Sequence, residues 1–212
     1  MNPNEKIRND KFGPLMVTAF ENRGFEAYYC TDKEAALAKA LELIPETDVV
    51  AWGGSVSIAE IGLLDAVKKR NPVIDRDTAK TPEERVEIMR KALLCDTFIM
   101  SSNAVSEDGQ LVNIDGNGNR CAALIYGPRQ VVMIVGMNKI CQDLDSAVKR
   151  ARSVAAPINV QKFGNLPTPC AKFGKCMNCN MEESVCAQFV TTRRCRPAKR
   201  IKIILVGENL GF

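Results

Sequence analysis

Val131-Val132-Met133-Ile134-Val135 is the stretch that decides the fold. A run of apolar, mostly β-branched residues predicts a buried strand, and the residues from Asn138 to about Ala155 carry the apolar spacing of a long helix. A buried strand followed directly by a helix is the repeating unit of parallel sheets. The question for the rest of the chain is therefore whether strands and helices alternate on both sides of this pair.

The alternation does extend in both directions. The sequence predicts further strands at residues 26–30, 48–52, 96–100 and 200–206, with helical patterns between them. Strands that alternate with helices favour an α/β domain with a mostly parallel sheet covered by helices on both faces. Ligands of such sheets bind at the C-terminal ends of the strands, so the loops at those ends are the first candidates for a functional site.

Turn-forming residues predict two local features. A helix over residues 4–22 should be interrupted or re-aimed at Pro14, because a proline inside a helix removes a backbone hydrogen bond. Asp108-Gly109 separates two apolar runs and predicts a hairpin. In that hairpin, residues 110–114 would pair antiparallel with the preceding extended segment.

The composition changes near residue 157. Between Pro157 and Pro197, proline, cysteine and basic residues replace the helical pattern, and a strand follows. We therefore divide the chain into an α/β domain over residues 1–156, a cysteine-rich segment inserted over residues 157–197, and the final strand of the domain over residues 198–212.

Composition and charge limit the class of protein. Hydrophobic residues make up 46% and charged residues 25% of the chain, as in ordinary globular proteins, and the net charge is only +4. The basic residues form one late cluster: Arg193, Arg194, Arg196, Lys199 and Arg200. So small an excess gives no reason to expect nucleic-acid binding. No stretch approaches the roughly 18 consecutive apolar residues of a membrane span and no secretion signal is recognisable, so we expect a cytoplasmic protein.

Histidine and cysteine usage limits the chemistry. The chain has no histidine, which excludes Ser-His-Asp and Cys-His pairs and every zinc site that uses histidine. It has nine cysteines, an odd number, and a reducing compartment disfavours disulfides. Metal binding is the leading explanation for some of them. Four others lie in predicted strands or helices and are expected in the core: Cys30, Cys95, Cys121 and Cys141.

The candidate metal ligands are four cysteines with the spacing C-x5-C-x2-C-x6-C: Cys170, Cys176, Cys179 and Cys186. Four thiolates from one loop-rich segment can converge on a tetrahedral centre, and the spacing accepts an iron–sulfur cluster or zinc. Nearby Lys172, Lys175 and Arg193 would lower the pKa of the thiols. Cys195 is a spare or replacement ligand. The alternative interpretation is that these cysteines are small apolar residues of the core.

Two loops are candidates for binding a small anion. Gly53, Gly54 and Ser55 lie in a loop between a buried strand and a helix, where amides and hydroxyls could cradle a phosphate or carboxylate. A plain strand-to-helix turn explains the loop equally well. Residues 115–120 begin like a calcium loop, but Arg120 replaces its glycine and calcium is excluded. Asn119 and Arg120 would instead meet an anion, although two successive Asx-Gly turns explain this segment structurally.

Two polar segments follow the strand at residues 96–100. Asn103 closes that strand and is a further candidate ligand residue. Glu107 lies in the turn at residues 106–109, which we expect at the same edge of the sheet as the glycine loop. It could act as a carboxylate nucleophile or base. A solvated turn residue is the structural alternative.

Three segments together resemble the LUD-domain family of lactate-utilisation proteins: WGGS at residues 52–55, SNAVSEDGQLVNIDGNGNR at residues 102–120, and VGENLGF at residues 206–212. The resemblance runs from about residue 10 to the C-terminus. Thr168-Pro169-Cys170 resembles the start of the cysteine cluster in a small-protein branch of that family. The family implies a fold similar to the NagB, ribose-phosphate isomerase and CoA-transferase group.

The resemblance implies a first functional hypothesis. Members of the family are linked to the oxidation of lactate to pyruvate in complexes with iron–sulfur subunits. On that basis the four clustered cysteines would hold an iron–sulfur cluster, with zinc as the alternative. The glycine loop would contact a small carboxylate or phosphorylated ligand. The chain has no flavin or nicotinamide motif, so it is not expected to carry out the redox reaction alone.

Two other hypotheses remain open. The chain could be a stand-alone enzyme that resembles CoA transferases, in which Glu107 would form an acyl intermediate, although Asp108 stands where those enzymes usually carry asparagine. It could also be a zinc-stabilised binding domain without a redox role. A homo-oligomer is compatible with each hypothesis.

Overall fold

The computed structural model describes residues 2–164 and 166–212. Its strands in these two ranges are β1 (Glu26–Cys30), β2 (Val50–Trp52), β3 (Val73–Ile74), β4 (Thr97–Met100), β5 (Ala104–Ser106), β6 (Leu111–Asp115), β7 (Gln130–Gly136), β8 (Ile140–Cys141), β9 (Gln188–Thr192) and β10 (Ile201–Val206). They form one six-stranded and one four-stranded sheet.

The helices are α1 (Pro3–Asn22), α2 (Lys33–Leu43), α3 (Val56–Glu60), α4 (Leu63–Arg70), α5 (Pro82–Lys91), α6 (Asn119–Ile125), α7 (Leu144–Arg150), α8 (Ala156–Val160) and α9 (Pro169–Phe173). A π-helical turn, Ala151–Ala155, joins α7 to α8, so that one helical run crosses residue 157 where the composition changes. Within the described ranges, no helix combines the length and the apolar character that crossing a membrane requires.

The six-stranded sheet has the order β1-β10-β7-β4-β2-β3, and every neighbouring pair is parallel. Parallel neighbours need crossover connections, which the helices between the strands provide. The predicted α/β class with a mostly parallel sheet is therefore confirmed. The final strand, β10, lies inside the sheet between β1 and β7 rather than at its edge.

Strand β7 shows why the sheet is covered on both faces. Val131, Met133 and Val135 lie in the core cluster that includes side chains of α1 and α6. Val132 and Ile134 lie in the opposite cluster, together with side chains of α2, α3 and α4. Because successive side chains of a strand point to opposite faces, a strand that is apolar throughout needs helices on both sides. The predicted two-sided packing is confirmed.

The second sheet has the order β8-β5-β6-β9. Strands β5 and β6 form the predicted antiparallel hairpin, and Gly109 in its turn has a φ of 86°. Strand β9, which comes from the cysteine-rich segment, extends the sheet through five antiparallel pairs with β6. Side chains Ala104, Val112 and Ala147 join this sheet to α7. The cysteine-rich segment is thus fastened to the domain by a strand.

Two helix predictions are wrong in detail. Helix α1 is not interrupted at Pro14 and runs from Pro3 to Asn22, because burial of Met16 and Phe20 against the sheet holds the turns after the proline in place. The helix predicted from Asn138 begins only at Leu144. Residues 140–141 pair with β5 instead, and the side chain of Asp143 caps the helix by accepting a hydrogen bond from the Ser146 amide.

One member of the late basic cluster has a structural role. The guanidinium of Arg200 donates hydrogen bonds to the carbonyl oxygens of Ala123, Leu124 and Pro128, at 2.8, 2.7 and 3.0 Å. The last carbonyls of a helix have no partner within it, so this arginine satisfies the C-terminal end of α6. It also ties α6 to the start of β10.

We expect the substitution Arg200→Met to lower the free energy of unfolding by about 2 kcal/mol, because it leaves helix-terminal carbonyls without donors. Urea denaturation measures this loss. The matched control is Arg129→Met, since the Arg129 side chain is 87% exposed in its ion pair with Asp96. That change should stay within about 0.5 kcal/mol of the wild type. Equal effects of the two substitutions would contradict the structural role.

Candidate functional site

A cavity of about 430 Å³ lies at the C-terminal ends of the parallel strands. Residues 54–57 follow β2, residues 101–103 follow β4, and Lys139 follows β7; all of them line the cavity. Residues 182–185, from the cysteine-rich segment, form part of the opposite wall. This is the edge where α/β sheets bind ligands. The cavity is therefore the candidate functional site.

The structure brings together the residues predicted to bind a ligand. Those that line the cavity are Gly54, Ser55, Asn103, Asn119 and Arg120. Gly53 lies directly beneath the Arg120 side chain, where an added Cβ would be 2.9 Å from the arginine Cγ and Cδ atoms. The two loops that the sequence analysis selected separately are thus two walls of one site.

Glu107 lies elsewhere. It borders a shallow depression on the surface of α1, together with Arg8 and Lys11, and is not among the residues that line the cavity. The adjacent Asp108 forms an ion pair of 2.6 Å with Arg23 at the end of α1. The expectation that this turn shares an edge with the glycine loop is wrong, because the β5–β6 hairpin leaves the six-stranded sheet and belongs to the second sheet.

Arg120 builds the cavity wall. Its Nη2 atom donates to the Asn103 side-chain oxygen at 3.0 Å and to the Ile114 carbonyl, and its Nε lies 3.6 Å from a carboxylate oxygen of Asp115. The same Asp115 carboxylate accepts the backbone amides of Arg120 and Cys121. Because its guanidinium has several protein partners, Arg120 fixes the position of Asn103 and is less available to a ligand.

Arg76 is a candidate that the sequence analysis missed. Its side chain is only 18% exposed, and its nearest carboxylate oxygen, on Asp77, is 3.8 Å from Nε. The Nε atom is buried and has no hydrogen-bond partner in the described part of the chain. Burial lowers the pKa of Arg76 below its ordinary value. An added Cβ at Gly54 would lie 2.6 Å from Nη2, so this glycine makes room for the guanidinium.

Lys139 is the second residue that was missed. It is 3% exposed, and its Nζ donates hydrogen bonds to the hydroxyls of Ser57 at 2.8 Å and Ser101 at 2.9 Å. Over residues 2–164 and 166–212, no carboxylate lies within ion-pair distance of this amine. Lysines are almost never so buried without an acidic partner. Desolvation, followed by repulsion from Arg150, lowers the pKa of Lys139 to about 7.

Lys162 adds a third cation to the cavity. Its Nζ lies 4.5 Å from the centre of the Phe212 ring, and burial lowers the pKa of this lysine. In the described ranges, Lys139 and Lys162 therefore line this cavity without a carboxylate at ion-pair distance, while Arg76 has one long ion pair, to Asp77 at 3.8 Å. Lys162 is exposed, whereas Arg76 is 18% exposed and Lys139 is 3% exposed. Burial of a cation is costly, and an anion bound beside Arg76 and Lys139 would offset that cost. The cavity is also lined by the acidic residues Asp115, Glu182 and Glu183, but its basic side chains outnumber them, so the net charge of the lining favours an anionic ligand.

The lowered pKa of Lys139 has a consequence for stability. Its pKa falls from an ordinary value near 10.5 to about 7 because of burial and of the charges on Arg150, Arg120 and Lys162, which Glu60 only partly offsets. Between these two values the unfolded chain binds more protons than the folded one. The contribution of Lys139 to stability therefore rises with pH from about 7 upward, with a slope of at most about 1.4 kcal/mol per pH unit.

We expect this slope to disappear in Lys139→Met. The free energies of unfolding of the wild type and the variant, measured in urea at several pH values, should differ by a constant amount below about pH 7 and change in favour of the wild type as the pH rises above it. Other titrating groups are common to both proteins and cancel. A difference that is independent of pH would contradict the lowered pKa.

The four predicted metal ligands share a second, smaller cavity of about 50 Å³: it is lined by Cys170, Cys176, Cys179 and Cys186. Burial, followed by the charges of the other three thiols, raises the pKa of Cys186 to about 11. The expectation that neighbouring basic residues lower the thiol pKa is wrong for this cysteine. In the described ranges, no three cysteine, aspartate or glutamate side chains are arranged as the ligands of an ion. The donors are gathered in one place but not in ligating positions.

The other cysteines are accounted for by packing. Cys30, Cys95 and Cys121 are buried, as predicted, while Cys141 is half-buried against the core of the second sheet. Cys195 is 2% exposed, and its Sγ accepts a hydrogen bond from the Ile201 amide at 3.3 Å. It is therefore part of the core and does not line the cysteine cavity.

The two cavities are neighbours. Ser184 and Val185 line both the cationic cavity and the cysteine cavity. The Cα atom of Val185 also packs against Gly116, where an added Cβ would lie 3.3 Å from it, so this segment fits closely onto the loop after β6. One short segment separates the four thiols from the cationic cavity.

A comparison with protein-family models matches residues 14–206 of this chain to the LUD domain. The chain belongs to the LUD domain family. The recognition of this family from the segments around residues 52–55, 102–120 and 206–212 is therefore confirmed. No curated protein matches this LUD protein.

One solved structure supports the fold of this LUD protein. A DUF162 family protein from Deinococcus radiodurans is 10% identical, with a TM-score of 0.55 over 93% of this chain and 98% of that chain. At this identity, the similarity supports the fold alone. Ribose 5 phosphate isomerase A from Neisseria gonorrhoeae, at 19% identity, has a TM-score of 0.33 over 53% of this chain and 54% of that chain. The delta subunit of eIF2B from Chaetomium thermophilum, at 13% identity, has a TM-score of 0.35 over 66% and 59%.

Proposed function

We propose that this LUD protein binds a small carboxylate metabolite, of the class that includes lactate and pyruvate, beside a metal centre held by four cysteines. In this proposal the chain is a subunit of a lactate-oxidising electron-transfer system, and other iron–sulfur subunits are its partners. The observation that carries the proposal is the shared wall: Ser184 and Val185 line both the cationic cavity and the cysteine cavity.

The cationic cavity supports the carboxylate part of the proposal. The Arg76 Nε is buried and donates no hydrogen bond to a protein group in the described ranges. Lys162 lines the same cavity. Arginine is the side chain best suited to hold a planar carboxylate through two hydrogen bonds. The volume of about 430 Å³ exceeds the needs of a three-carbon acid. It leaves room for a redox group of a partner subunit, which the chain needs because it has no flavin or nicotinamide motif.

The chemistry of the donors supports the metal part. Cys170, Cys176, Cys179 and Cys186 line one cavity, and four thiolates are the donor set of both iron–sulfur clusters and structural zinc. Arg152 lines the same cavity and would offset the negative charge of the thiolates. An iron–sulfur cluster, when bound, supplies one-electron transfer. The protein contributes the ligands, the positive charge and the short separation from the carboxylate site.

Metal and sulfide analysis of protein purified without oxygen tests the metal part. The proposal expects iron and inorganic sulfide in similar amounts, together with broad visible absorption. Stoichiometric zinc in place of iron would contradict electron transfer and would favour the zinc-stabilised binding domain. Protein that takes up neither metal would overturn the centre itself.

The CoA-transferase hypothesis gains no support from the geometry. It requires Glu107 at a reacting centre, whereas Glu107 borders a shallow depression on α1 with Arg8 and Lys11. It is not among the residues that line the cavity of Arg76 and Lys139. We therefore do not propose an acyl-transfer role for this residue.

A further inference from the structure

We propose that Lys139 is a nucleophile that forms an imine with the carbonyl group of a 2-oxo acid bound in the cationic cavity. This inference rests on the proposed function and deepens it, because it assigns the ligand class to 2-oxo acids such as pyruvate and gives the cavity a covalent step. A nucleophilic amine must be neutral, and burial of Lys139 favours that form.

The position of the amine supports this role. Lys139 follows the central strand β7 through a short 3-10 turn, so a buried strand inside the sheet fixes its backbone. Its Nζ is held by Ser57 from the loop after β2 and by Ser101 from the end of β4. An added Cβ at Gly211 would lie 2.6 Å from the Ser57 hydroxyl and 3.4 Å from Nζ. The glycine keeps this space open.

The surroundings of the amine favour its neutral form. Lys139 is 3% exposed, and the basic groups that act on it, Arg150, Arg120 and Lys162, outnumber the single acidic group, Glu60. A neutral amine has the lone pair that attack on a carbonyl requires, and enzymes that form imines activate lysine by desolvation and by nearby positive charge. The cavity supplies both conditions.

The step balances without an oxidant or a reductant. The Nζ lone pair attacks the keto carbon, a C–N bond forms, and the carbonyl oxygen takes the proton that nitrogen releases. The resulting hydroxyl then leaves as water after taking up a second proton, while the nitrogen lone pair forms the C=N bond. The net reaction joins the amine, the 2-oxo acid and one proton into an iminium ion and water. The hydroxyls of Ser57 and Ser101 lie at hydrogen-bond distance for these proton movements.

The cationic cavity also explains why the ligand would be a 2-oxo acid. Arg76 and Lys162 line the same cavity as Lys139. Lys162 is close enough for its charge to act on Lys139, and Arg76 acts on Lys162, so this basic group can hold the carboxylate while the adjacent keto carbon meets Nζ. A 2-hydroxy acid has the same carboxylate but no carbonyl for the amine. Both classes would therefore bind, but only the 2-oxo acid would become covalently attached.

Reductive trapping tests the inference. The metal-loaded protein is incubated with pyruvate and sodium cyanoborohydride, and the adduct is located by intact mass and peptide mapping. We expect one adduct, on Lys139. Its mass should equal that of pyruvic acid plus two hydrogen atoms minus one water molecule. The exposed lysines are internal controls, and lactate should leave no adduct. Lys139→Arg, which keeps a cation at this position, should also remain unmodified.

The outcomes separate the two proposals. Saturable pyruvate binding in calorimetry without an adduct on Lys139 would overturn the imine and leave the carboxylate site standing. Adducts that are confined to exposed lysines would likewise overturn the imine at Lys139. Absence of any saturable binding would overturn the carboxylate site and the imine together. The mapping uses wild-type protein, so the result does not depend on whether Lys139→Arg folds.

Discussion

Replacing Cys179 with serine is expected to remove the bound metal and its visible absorption from protein purified without oxygen. Cys176 and Cys179 are separated by two residues and line one cavity with Cys170 and Cys186. A serine hydroxyl is a poor ligand for the soft metals that four thiolates select. The loss of affinity should exceed the roughly 10–100-fold effect of removing an outer-shell partner of a metal site.

The matched control is Cys141→Ser. Cys141 is also half-buried, but it packs against the core of the second sheet and does not line the cysteine cavity. This variant should retain the iron, the sulfide and the spectrum of the wild type. A Cys179→Ser protein with its full metal content would contradict the four-cysteine centre.

The main sheet could be predicted from the sequence because its signals are local. Residues 131–135 are apolar throughout, and each predicted strand appears in the sheet within about two residues of its expected bounds. The gathering of Gly54 and Asn103 was predictable for a related reason, whereas Arg120 follows β6 of the second sheet and its place beside them was not. Loops that follow parallel strands meet at one edge of the sheet, so the topology alone brings them together.

The hairpin of β5 and β6 was predicted, but its separation from the main sheet and its pairing with β9 could not be predicted in this way. Strand β9 comes from a segment rich in proline and cysteine, and its partner β6 lies more than seventy residues earlier. Glu107 was misplaced because the separate sheet of β5 and β6 was not anticipated. Pairing between distant segments leaves no local pattern in a single sequence.

Arg76 and Lys139 were missed for a physical reason. Surface and buried cations look alike in a sequence, and the helical spacing after β7 concealed the turn that carries Lys139. A signal was present for Lys139 alone: it follows the most apolar strand of the chain by three residues, at the strand end where ligands bind. Arg76 follows a strand of only two residues and had no such signal.

Replacing Arg76 with methionine is expected to weaken pyruvate binding by about 30-fold or more, because a charge-assisted hydrogen bond to a buried carboxylate contributes about 2 kcal/mol or more. The guanidinium lines the cavity, is 18% exposed and has an Nε without a protein partner in the described ranges. Methionine keeps much of the length of the side chain beside Gly54 while removing the charge. Calorimetric titration with pyruvate measures the change.

Arg85→Met is the control for this prediction. Arg85 lies at the edge of the same cavity, but its side chain is 41% exposed and already paired with Asp77 at 3.1 Å. Its removal should change the affinity by no more than about fivefold, as expected for an exposed ion pair. If Arg85→Met weakened binding as much as Arg76→Met, the carboxylate would not be held by the buried guanidinium.

The central claim is that a carboxylate site and a cysteine-held metal centre form one functional unit separated by residues 184–185. The most direct measurement is the visible and electron paramagnetic resonance spectrum of the anaerobically purified, iron-loaded protein during titration with pyruvate. We predict a saturable change in the spectrum of the metal centre, which Arg76→Met shifts to higher pyruvate concentrations without loss of iron. An iron centre whose spectrum is unaffected by saturating pyruvate, or a protein that holds no iron, would contradict the account.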